Sequence, residues 1–119
     1  MIDSILDWFK PELIKIISFA PQRSGEPRAD YFQIQGPLVL ANISNKTASL
    51  LTIILSVEDK EYPLTLDNAR LPTELGPGKE RTFYVFSSQI PLPSSSPLNM
   101  TVRIANSGRT CSLTTAFSP

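Results

Sequence analysis

Histidine is absent from this 119-residue sequence, and Cys111 is its only cysteine. Without histidine the chain lacks the commonest general base, the Ser-His and Cys-His nucleophile pairs and the ligand of most zinc sites. A single cysteine excludes an intrachain disulfide and a cysteine-rich metal site, which suits a reducing compartment or a bacterial exterior. We therefore expect Cys111 to be a small buried apolar residue and the chain not to be an enzyme.

Net charge is absent too, since eleven basic and eleven acidic side chains cancel. Nucleic acids and anionic membranes are bound through basic faces, so this balance argues against both as partners. No segment reaches the roughly 18 apolar residues that a membrane-spanning helix needs. The first residues, "MIDSILDWFK", lack the positive charge and the cleavage site of a signal peptide.

Motifs that bind phosphates or metals are also missing. The sequence contains neither a "GxxxxGKS"-type nor a "GxGxxG" loop. Its one cluster of carboxylates, Glu58-Asp59-Lys60-Glu61, falls at a predicted hairpin tip, where charged side chains are ordinarily solvated. A calcium site there would need about six or more oxygen ligands. We expect that the chain requires no metal and no other cofactor.

Proline, by contrast, is abundant at 11 residues, about twice its average share. Because proline interrupts helices and central strands, this content favours loops and sheet edges. Turn residues separate about seven short runs with the apolar content or period-two alternation of strands. These runs cover residues 12–19, 31–44, 51–57, 62–66, 82–86, 98–105 and 110–117. The first could instead continue a helix kinked at Pro11 to about Phe19, but its β-branched content favours a strand.

Alternation within the runs predicts which side chains face a core. In "YFQIQGPLVLANIS" the apolar residues share one parity, and Gly36-Pro37 interrupts them, so we expect a bulge or an edge there. Turns near Asp59-Lys60 and at Asn106-Ser107-Gly108, with Gly108 at positive φ, would close two hairpins. The predicted core includes Leu38, Leu40, Leu51, Ile53, Leu55, Val102 and Ile104.

Three N-x-[S/T] triplets begin at Asn42, Asn45 and Asn99. Read as glycan acceptors, the first two would place the chain outside a eukaryotic cell. The polar run "SNKTAS" between "LVLANI" and "LLTIILSV" also has the composition of a turn between two core strands. Because the triplet is common by chance, we interpret this run as a turn.

The pattern of strands and turns predicts an all-β fold, an antiparallel β-sandwich of about seven strands. Over residues 13–117 it resembles the immunoglobulin-like and fibronectin-III-like modules of bacterial proteins. The matching stretches are "LVLANIS", "TIILSV", "LGPGKERTFYV" with its Gly76-Pro77-Gly78 turn, and "VRIANSGRTCSL". The cysteine pair, core tryptophan and tyrosine of antibody domains are missing, so the resemblance implies the immunoglobulin-like architecture and no particular function.

A short amphipathic helix is predicted for the first ten residues. Ile2, Ile5, Leu6 and Phe9 follow helical spacing, with Trp8 at the margin of the stripe. A helix of this length is not stable alone in water, so the stripe needs a surface to pack on. That surface could be the module's own sheet, a second copy or a partner, and Asp3 and Asp7 argue against a membrane.

The run "TFYVF" sends Phe83 and Val85 to one face of its strand, and Tyr84 and Phe86 to the other. A strand with one solvated face has no need of aromatic side chains on both. Either a loop or the N-terminal helix covers one pair, or that pair belongs to a partner interface. The possible interface residues are therefore Ile5, Trp8, Phe9, Tyr84 and Phe86.

Residues 1–11 are thus predicted to be an amphipathic segment and residues 12–119 a β-sandwich domain. The favoured function is a non-catalytic interaction or structural module, with a protein partner or self-association. One alternative is a structural subunit of a surface appendage or phage-like particle, assembled through edge strands and the N-terminal segment. Another is a carrier with a ligand pocket between its sheets, which would need polar groups that the sequence does not supply.

Overall fold

The computed structural model describes residues 10–24, 30–91 and 97–118, and within these ranges the chain is all-β. The strands are β1 (Ile14–Phe19), β2 (Gln22–Ser24), β3 (Tyr31–Asn42), β4 (Ala48–Val57), β5 (Lys60–Pro63), β6 (Thr65–Leu66), β7 (Thr73–Leu75), β8 (Glu80–Phe86), β9 (Ile90–Pro91), β10 (Leu98–Asn106) and β11 (Cys111–Phe117). The strand β1 confirms the extended form of the first apolar run over a kinked helix. The predicted N-terminal helix lies, apart from Lys10, outside the described residues. No helix in the described part is long and apolar enough to cross a bilayer.

The first sheet, called sheet I here, is built around the long strand β3. Its strands run in the order β1-β3-β8-β6, and β2 and β9 pair with β3 as well. All of these pairings are antiparallel. The strand β8 therefore lies inside the sheet, between β3 and β6, and its side chains alternate between the core and the outer surface.

The second sheet, sheet II, contains two hairpins. Its strands run in the order β11-β10-β4-β5, and β7 pairs with the start of β4. The β4–β5 hairpin turns at Glu58 and Asp59, whose φ angles of 48° and 65° are those of a two-residue type I′ turn. The sequence placed this turn one residue later, near Asp59-Lys60, but Lys60 already pairs with Val57.

The two sheets pack face to face, which confirms the predicted all-β fold and antiparallel β-sandwich. The rings of Phe32 in sheet I and Phe117 in sheet II stack across the layers, with centroids 5.9 Å apart. Burial of apolar side chains between the layers is the main stabilising contribution. The largest fully buried side chains of this core are Ile14, Ile34, Leu38, Leu40, Leu50, Ile53, Leu55, Phe83, Val85, Ile90, Met100 and Ile104.

Leu51 does not belong to this core, contrary to the prediction. In the pairing of β4 with β10, Thr52 lies opposite Ala105 and Leu50 opposite Asn106, so Leu51 is an extra, bulged residue. The bulge reverses the parity of the strand, which buries Leu50 and leaves Leu51 46% exposed. The other predicted core residues are at most 1% exposed: Leu38, Leu40, Ile53, Leu55, Val102 and Ile104.

The run 62–66 is not one hairpin strand, as predicted, but is divided between the sheets. Tyr62 pairs with Leu55 in sheet II, whereas Leu66 pairs with Val85 in sheet I. Pro63 has no N–H to continue the ladder, and β5 ends there. The next residue, Leu64, is buried where the chain passes from one layer to the other.

Gly36-Pro37 does not bulge out of β3, because the pairing with β8 runs without a shift from Gln35 to Ala41. The interruption lies in the neighbouring chain instead, between the end of β1 and the start of β2. There a Cβ on Gly36 would lie 2.3 Å from the carbonyl oxygen of Ala20. The glycine thus lets the connecting residues pass close to β3.

The Gly76-Pro77-Gly78 turn is confirmed as the entry to β8. Lys79 donates its N–H to the carbonyl of Gly76 at 3.2 Å, and Gly78 has φ of 67°, as a type II turn requires. Gly108 lies in the other predicted turn but does not have the predicted positive φ. Among the described glycines, only Gly78 has one. Gly108 is needed for space, because the chain near Pro11 passes directly against it.

Candidate interaction surface

The strand β8 separates its aromatic side chains between the core and the outer surface of sheet I. Phe83 and Val85 are at most 1% exposed and fill the space between the sheets. Tyr84 and Phe86 point the other way and are 53% and 40% exposed. The predicted division of the run is therefore confirmed, and these two predicted interface residues lie on one solvent-facing patch.

Side chains from neighbouring strands complete this patch. Tyr84 lies opposite Pro37 in β3, and Phe86 lies opposite Gln35 in β3 and Thr65 in β6. Directly opposite residues of antiparallel strands are about 4.5–5.5 Å apart at Cα, so their side chains touch. Between them is a shallow depression of about 430 Å³, which we call the aromatic depression; its lining residues are Gln22, Gln35, Gly36, Pro37, Asp67, Tyr84, Val85 and Phe86.

The rim beside Tyr84 is held by backbone hydrogen bonds. Asp67 donates its N–H to the carbonyl of Tyr84 at 2.8 Å, and the side-chain oxygen of Asn68 accepts the N–H of Tyr84 at 3.1 Å. The side-chain amide of Asn68 also donates to the carbonyl of Thr82 at 3.1 Å. Asn68 thus continues the ladder of β6 with its side chain, as short polar residues often do. The backbone that presents Tyr84 is paired on both sides.

A buried serine anchors the far end of β8. Ser87 is 5% exposed, and its N–H donates to the carbonyl of Ile34 at 2.9 Å. Its hydroxyl oxygen accepts the N–H of Ile34 at 2.9 Å and donates to the carbonyl of Ser88 at 2.9 Å. These bonds fix the backbone immediately after Phe86, so both exposed aromatics stand on rigid strand.

The remaining predicted interface residues are Ile5, Trp8 and Phe9, and all three lie outside the described residues. Sequence reasoning also missed the partners of the aromatic pair, namely Pro37, Gln22 and Asp67. For Pro37 a signal was present, because it shares the outward parity of Gln33 and Gln35 in β3. No sequence signal predicts that Gln22 and Asp67 lie beside the aromatic pair, because strand pairing places them there.

The acidic side chains of the β4–β5 hairpin tip are exposed. Glu58, Asp59 and Glu61 border a separate outer depression of about 410 Å³. Glu61 is ion-paired with Arg103 across the sheet, and no group of three metal-ligating side chains comes together within the described ranges. Exposed pairs of this kind add little stability, so the tip is a solvated turn.

Asn42, the first asparagine of the sequons, is a structural residue. It is 1% exposed, and its amide donates to the carbonyls of Lys46 and Leu75 at 2.6 and 2.9 Å. Its oxygen accepts the N–H and the hydroxyl of Ser44 at 2.9 and 2.6 Å. This asparagine therefore organises the turn predicted for "SNKTAS" and ties it to β7, and it leaves no accessible nitrogen for a glycan.

Cys111 lies at the start of β11 and is half-buried against the core. Burial raises the pKa of its thiol from 9.0 to about 11, and the Glu12 carboxylate acts in the same direction, while a backbone hydrogen bond lowers it. The thiol is therefore protonated near neutral pH. A protonated thiol is a poor nucleophile and a poor metal ligand. The sequence predicted a buried residue, whereas the side chain is only half-buried because it lies on the edge strand β11.

Comparison with known proteins places the fold without naming a family. No protein-family model matches the sequence, and no curated protein matches it. Among solved structures the chain is similar to one described as the apo PCuAC domain from PmoF1, with a TM-score of 0.55 and 14% sequence identity. The similarity covers 92% of this chain and 99% of that chain. At this identity the match shows a shared β-sandwich fold.

Proposed function

We propose that this chain is a non-catalytic β-sandwich module that binds a protein partner through the aromatic depression on the outer face of sheet I. The observation that carries the proposal is the exposure of Tyr84 and Phe86 side by side on β8, at 53% and 40%. Both residues stand on backbone that is hydrogen-bonded on either side, so the surface is already formed before a partner arrives.

The composition of the depression is that of a protein interface. Tyrosine and phenylalanine combine a large apolar surface with few rotatable bonds, and such residues are enriched where proteins meet. Pro37 lies opposite Tyr84 and adds rigid apolar surface, while Gln22 and Gln35 offer amide groups in the lining. A partner segment could bury an apolar side chain against the rings and hydrogen-bond to these amides.

The same residues give no support to a reaction. Among the described residues of the lining, Asp67 is the only carboxylate, and no histidine, lysine or second carboxylate faces it. Acid–base catalysis needs paired groups with opposite roles. Binding without chemistry is therefore the function that this surface supports best.

A metal-carrier function, suggested by the copper symbol in the neighbour's name and by its description as apo, does not fit the residues of this chain. Soft metals such as Cu(I) are held by thiolate, thioether and imidazole groups, and this sequence has no histidine, one cysteine and two methionines. Met100 lies opposite Thr115, four residues along β11 from Cys111, a separation of about 13 Å at 3.3 Å per residue. Met100 is also fully buried in the core, so these sulfur atoms cannot share one ion.

Two finer points belong to this proposal. The Leu-x-Pro-Gly type turn before β8 and the Asn turn after β3 support the immunoglobulin-like type of sandwich. A module of that type could serve alone or as a repeating structural subunit of an assembly. In either setting the aromatic depression is the surface that we expect to contact another protein.

Site-specific photo-crosslinking tests the proposal. A photoreactive phenylalanine replaces Tyr84 in one variant and Leu51, which is 46% exposed on sheet II, in a matched control. We expect one protein to be captured from position 84 and not from position 51. The captured protein, identified by mass spectrometry and purified, should bind the wild-type chain.

Affinity measurements complete the test. For the purified partner we expect Tyr84→Ser to weaken binding about tenfold or more, as for an interface hot spot, and Leu51→Ser to leave it unchanged. Equal capture from both positions, or equal Kd values for both serine variants, would show that the aromatic depression is not the binding surface.

A further inference from the structure

The edge strand β11 lacks the features that normally keep sheet edges from pairing. It runs for seven residues, "CSLTTAF", and pairs with β10 without a register shift from Ile104–Cys111 to Leu98–Phe117. It contains no charged residue, no proline and no glycine. Natural proteins protect exposed edges with such residues, with bulges or with very short strands. An unprotected edge of this length is a template for a further strand.

The other edges of the described sandwich are protected. β1 contains a bulge between Ile16 and Ser18 and carries Lys15, while β2 and β6 have only three and two residues. On the far side of sheet II, β5 carries two charged residues and ends in a proline, and β7 has three residues. Among the described strands, β11 is thus the edge strand that lacks these protections, and β1 of sheet I is the neighbour that lies close to it outside its own sheet.

We propose that β11 pairs antiparallel with β11 of a second copy of this chain, around a two-fold axis at Thr114, and joins the two copies of sheet II into one sheet. Pairing about this axis places Cys111 opposite Phe117, Ser112 opposite Ala116, and Leu113 opposite Thr115. The two residues of each pair are both odd-numbered or both even-numbered. Core-facing side chains of one copy therefore lie beside core-facing side chains of the other, and the same holds for the outer face. The interface is isologous, as a closed dimer requires.

Burial and charge along β11 agree with this partner. Cys111, Leu113 and Phe117 pack against the core but are only half-buried, because no strand lies beyond them in the described part of the sheet. A second copy would continue the apolar layer over these side chains. The outward residues Ser112, Thr114 and Ala116 are exposed and uncharged, and with a formal net charge of zero two copies meet without like-charge repulsion. This edge belongs to sheet II and is separate from the aromatic depression on sheet I.

The first experiment measures the mass in solution by analytical ultracentrifugation. The mass obtained for the wild-type chain should be twice its 13.2 kDa. Thr114→Lys places two ammonium groups opposite each other at the axis, so this variant should sediment as the monomer. Thr65→Lys is the matched control, because Thr65 is also an exposed threonine on a sheet edge, in β6, and it should remain dimeric. Tyr84→Ser should also remain dimeric, which distinguishes this interface from the proposed function.

The second experiment cross-links the axis directly. In a Cys111→Ser background, Thr114→Cys would bring two thiols face to face, since opposite residues in antiparallel strands lie within the Cα separation of a disulfide. Added oxidised glutathione should give a covalent dimer with Thr114→Cys and none with Thr65→Cys. This result decides the case if Thr114→Lys fails to fold by circular dichroism or if the two measurements disagree.

Three outcomes would overturn the proposal. One is a wild-type monomer whose Thr114→Cys variant does not cross-link. Another is a dimer that persists in Thr114→Lys and is not cross-linked at position 114, which would place the interface elsewhere. The third is a monomer that becomes a cross-linkable dimer only after deletion of residues 1–9, which would show that this segment occupies the edge. Pairing of β11 with a segment of a different protein would appear as a monomer without the cross-link.

Discussion

Gly108 lies directly against the carbonyl of Pro11, and this contact joins the start of β1 in sheet I to the β10–β11 turn in sheet II. A Cβ on Gly108 would lie 2.5 Å from the Pro11 oxygen and 2.6 Å from Cγ of Leu13. Beside it, Arg109 donates its N–H to the same oxygen at 2.8 Å, and Ile43 donates to the carbonyl of Leu13 at 2.9 Å. The two layers are thus fastened at one end through the backbone.

Replacing Gly108 with alanine should therefore destabilise the sandwich. The added methyl group overlaps backbone, which has little freedom to move, so we expect a loss of about 1–3 kcal/mol, as for an overpacked core. Gly76→Ala is the matched control, because its Cβ would meet only the Lys79 side chain at 3.4 Å. Urea denaturation measures both, and equal midpoints for the two variants would contradict the close contact.

Core substitutions in β4 test the bulge at Leu51. Ile53→Ala and Leu55→Ala should each cost about 2–5 kcal/mol, because they empty fully buried positions. Leu51→Ala should change the free energy of unfolding by no more than about 0.5 kcal/mol, since Leu51 is 46% exposed. Chemical denaturation of the three variants gives the comparison. A large loss in Leu51→Ala would mean that β4 is straight and in the register of strict alternation.

Asn42→Ala should cost about 1–3 kcal/mol, because it leaves the buried backbone carbonyl of Leu75 without its donor. Asn45 is exposed in the same turn, so Asn45→Ala should be nearly neutral and serves as the control. Thermal or urea unfolding measures both. Expression through a eukaryotic secretory pathway gives an independent check: fragment-ion mass spectrometry of its peptides should show no glycan at Asn42, whatever occurs at Asn45 or Asn99.

Removal of the exposed aromatics separates a binding role from a packing role. If Tyr84 and Phe86 face solvent until a partner binds, Tyr84→Ser and Phe86→Ser should each alter stability by less than about 0.5 kcal/mol. Phe83→Ala, on the opposite face of the same strand, should cost about 3–5 kcal/mol. A loss of several kcal/mol from either serine variant would show that another part of the chain covers the depression.

The stability of the protein should fall above pH 9 partly because of Cys111. Its pKa is about 11 in the folded chain and 9.0 for the ordinary thiol, so between these values the folded state retains a proton that the unfolded state has lost. The contribution of Cys111 to the free energy of unfolding is fully present below pH 9 and is lost as the pH rises toward 11. The stability difference between wild type and Cys111→Ala should therefore change in favour of the variant from pH 8 to pH 10. Parallel urea curves across this range would exclude the effect.

Much of the architecture could be predicted from the sequence because it depends on local chemistry. The alternation in β3 and β10, the Gly76-Pro77-Gly78 turn and the two faces of β8 each follow from side chains within a few residues of one another. The absence of histidine and the single cysteine likewise restricted the possible chemistry before any contact was known. A division of β8 into buried and exposed aromatics was therefore expected from parity alone.

Only the tertiary structure decided the features that depend on distant strands. The bulge at Leu51 exists because Thr52 and Leu50 pair with neighbouring residues of β10, and the sequence of β4 continues its alternation regardless. Pairing also brings Pro37 beside Tyr84, and close packing sets the need for glycine at position 108. Local sequence thus determined which faces of the strands are apolar. Strand register and the close approach of backbone segments determined which apolar residues remain at the surface. Both depend on contacts between residues far apart in the chain, which local sequence does not specify.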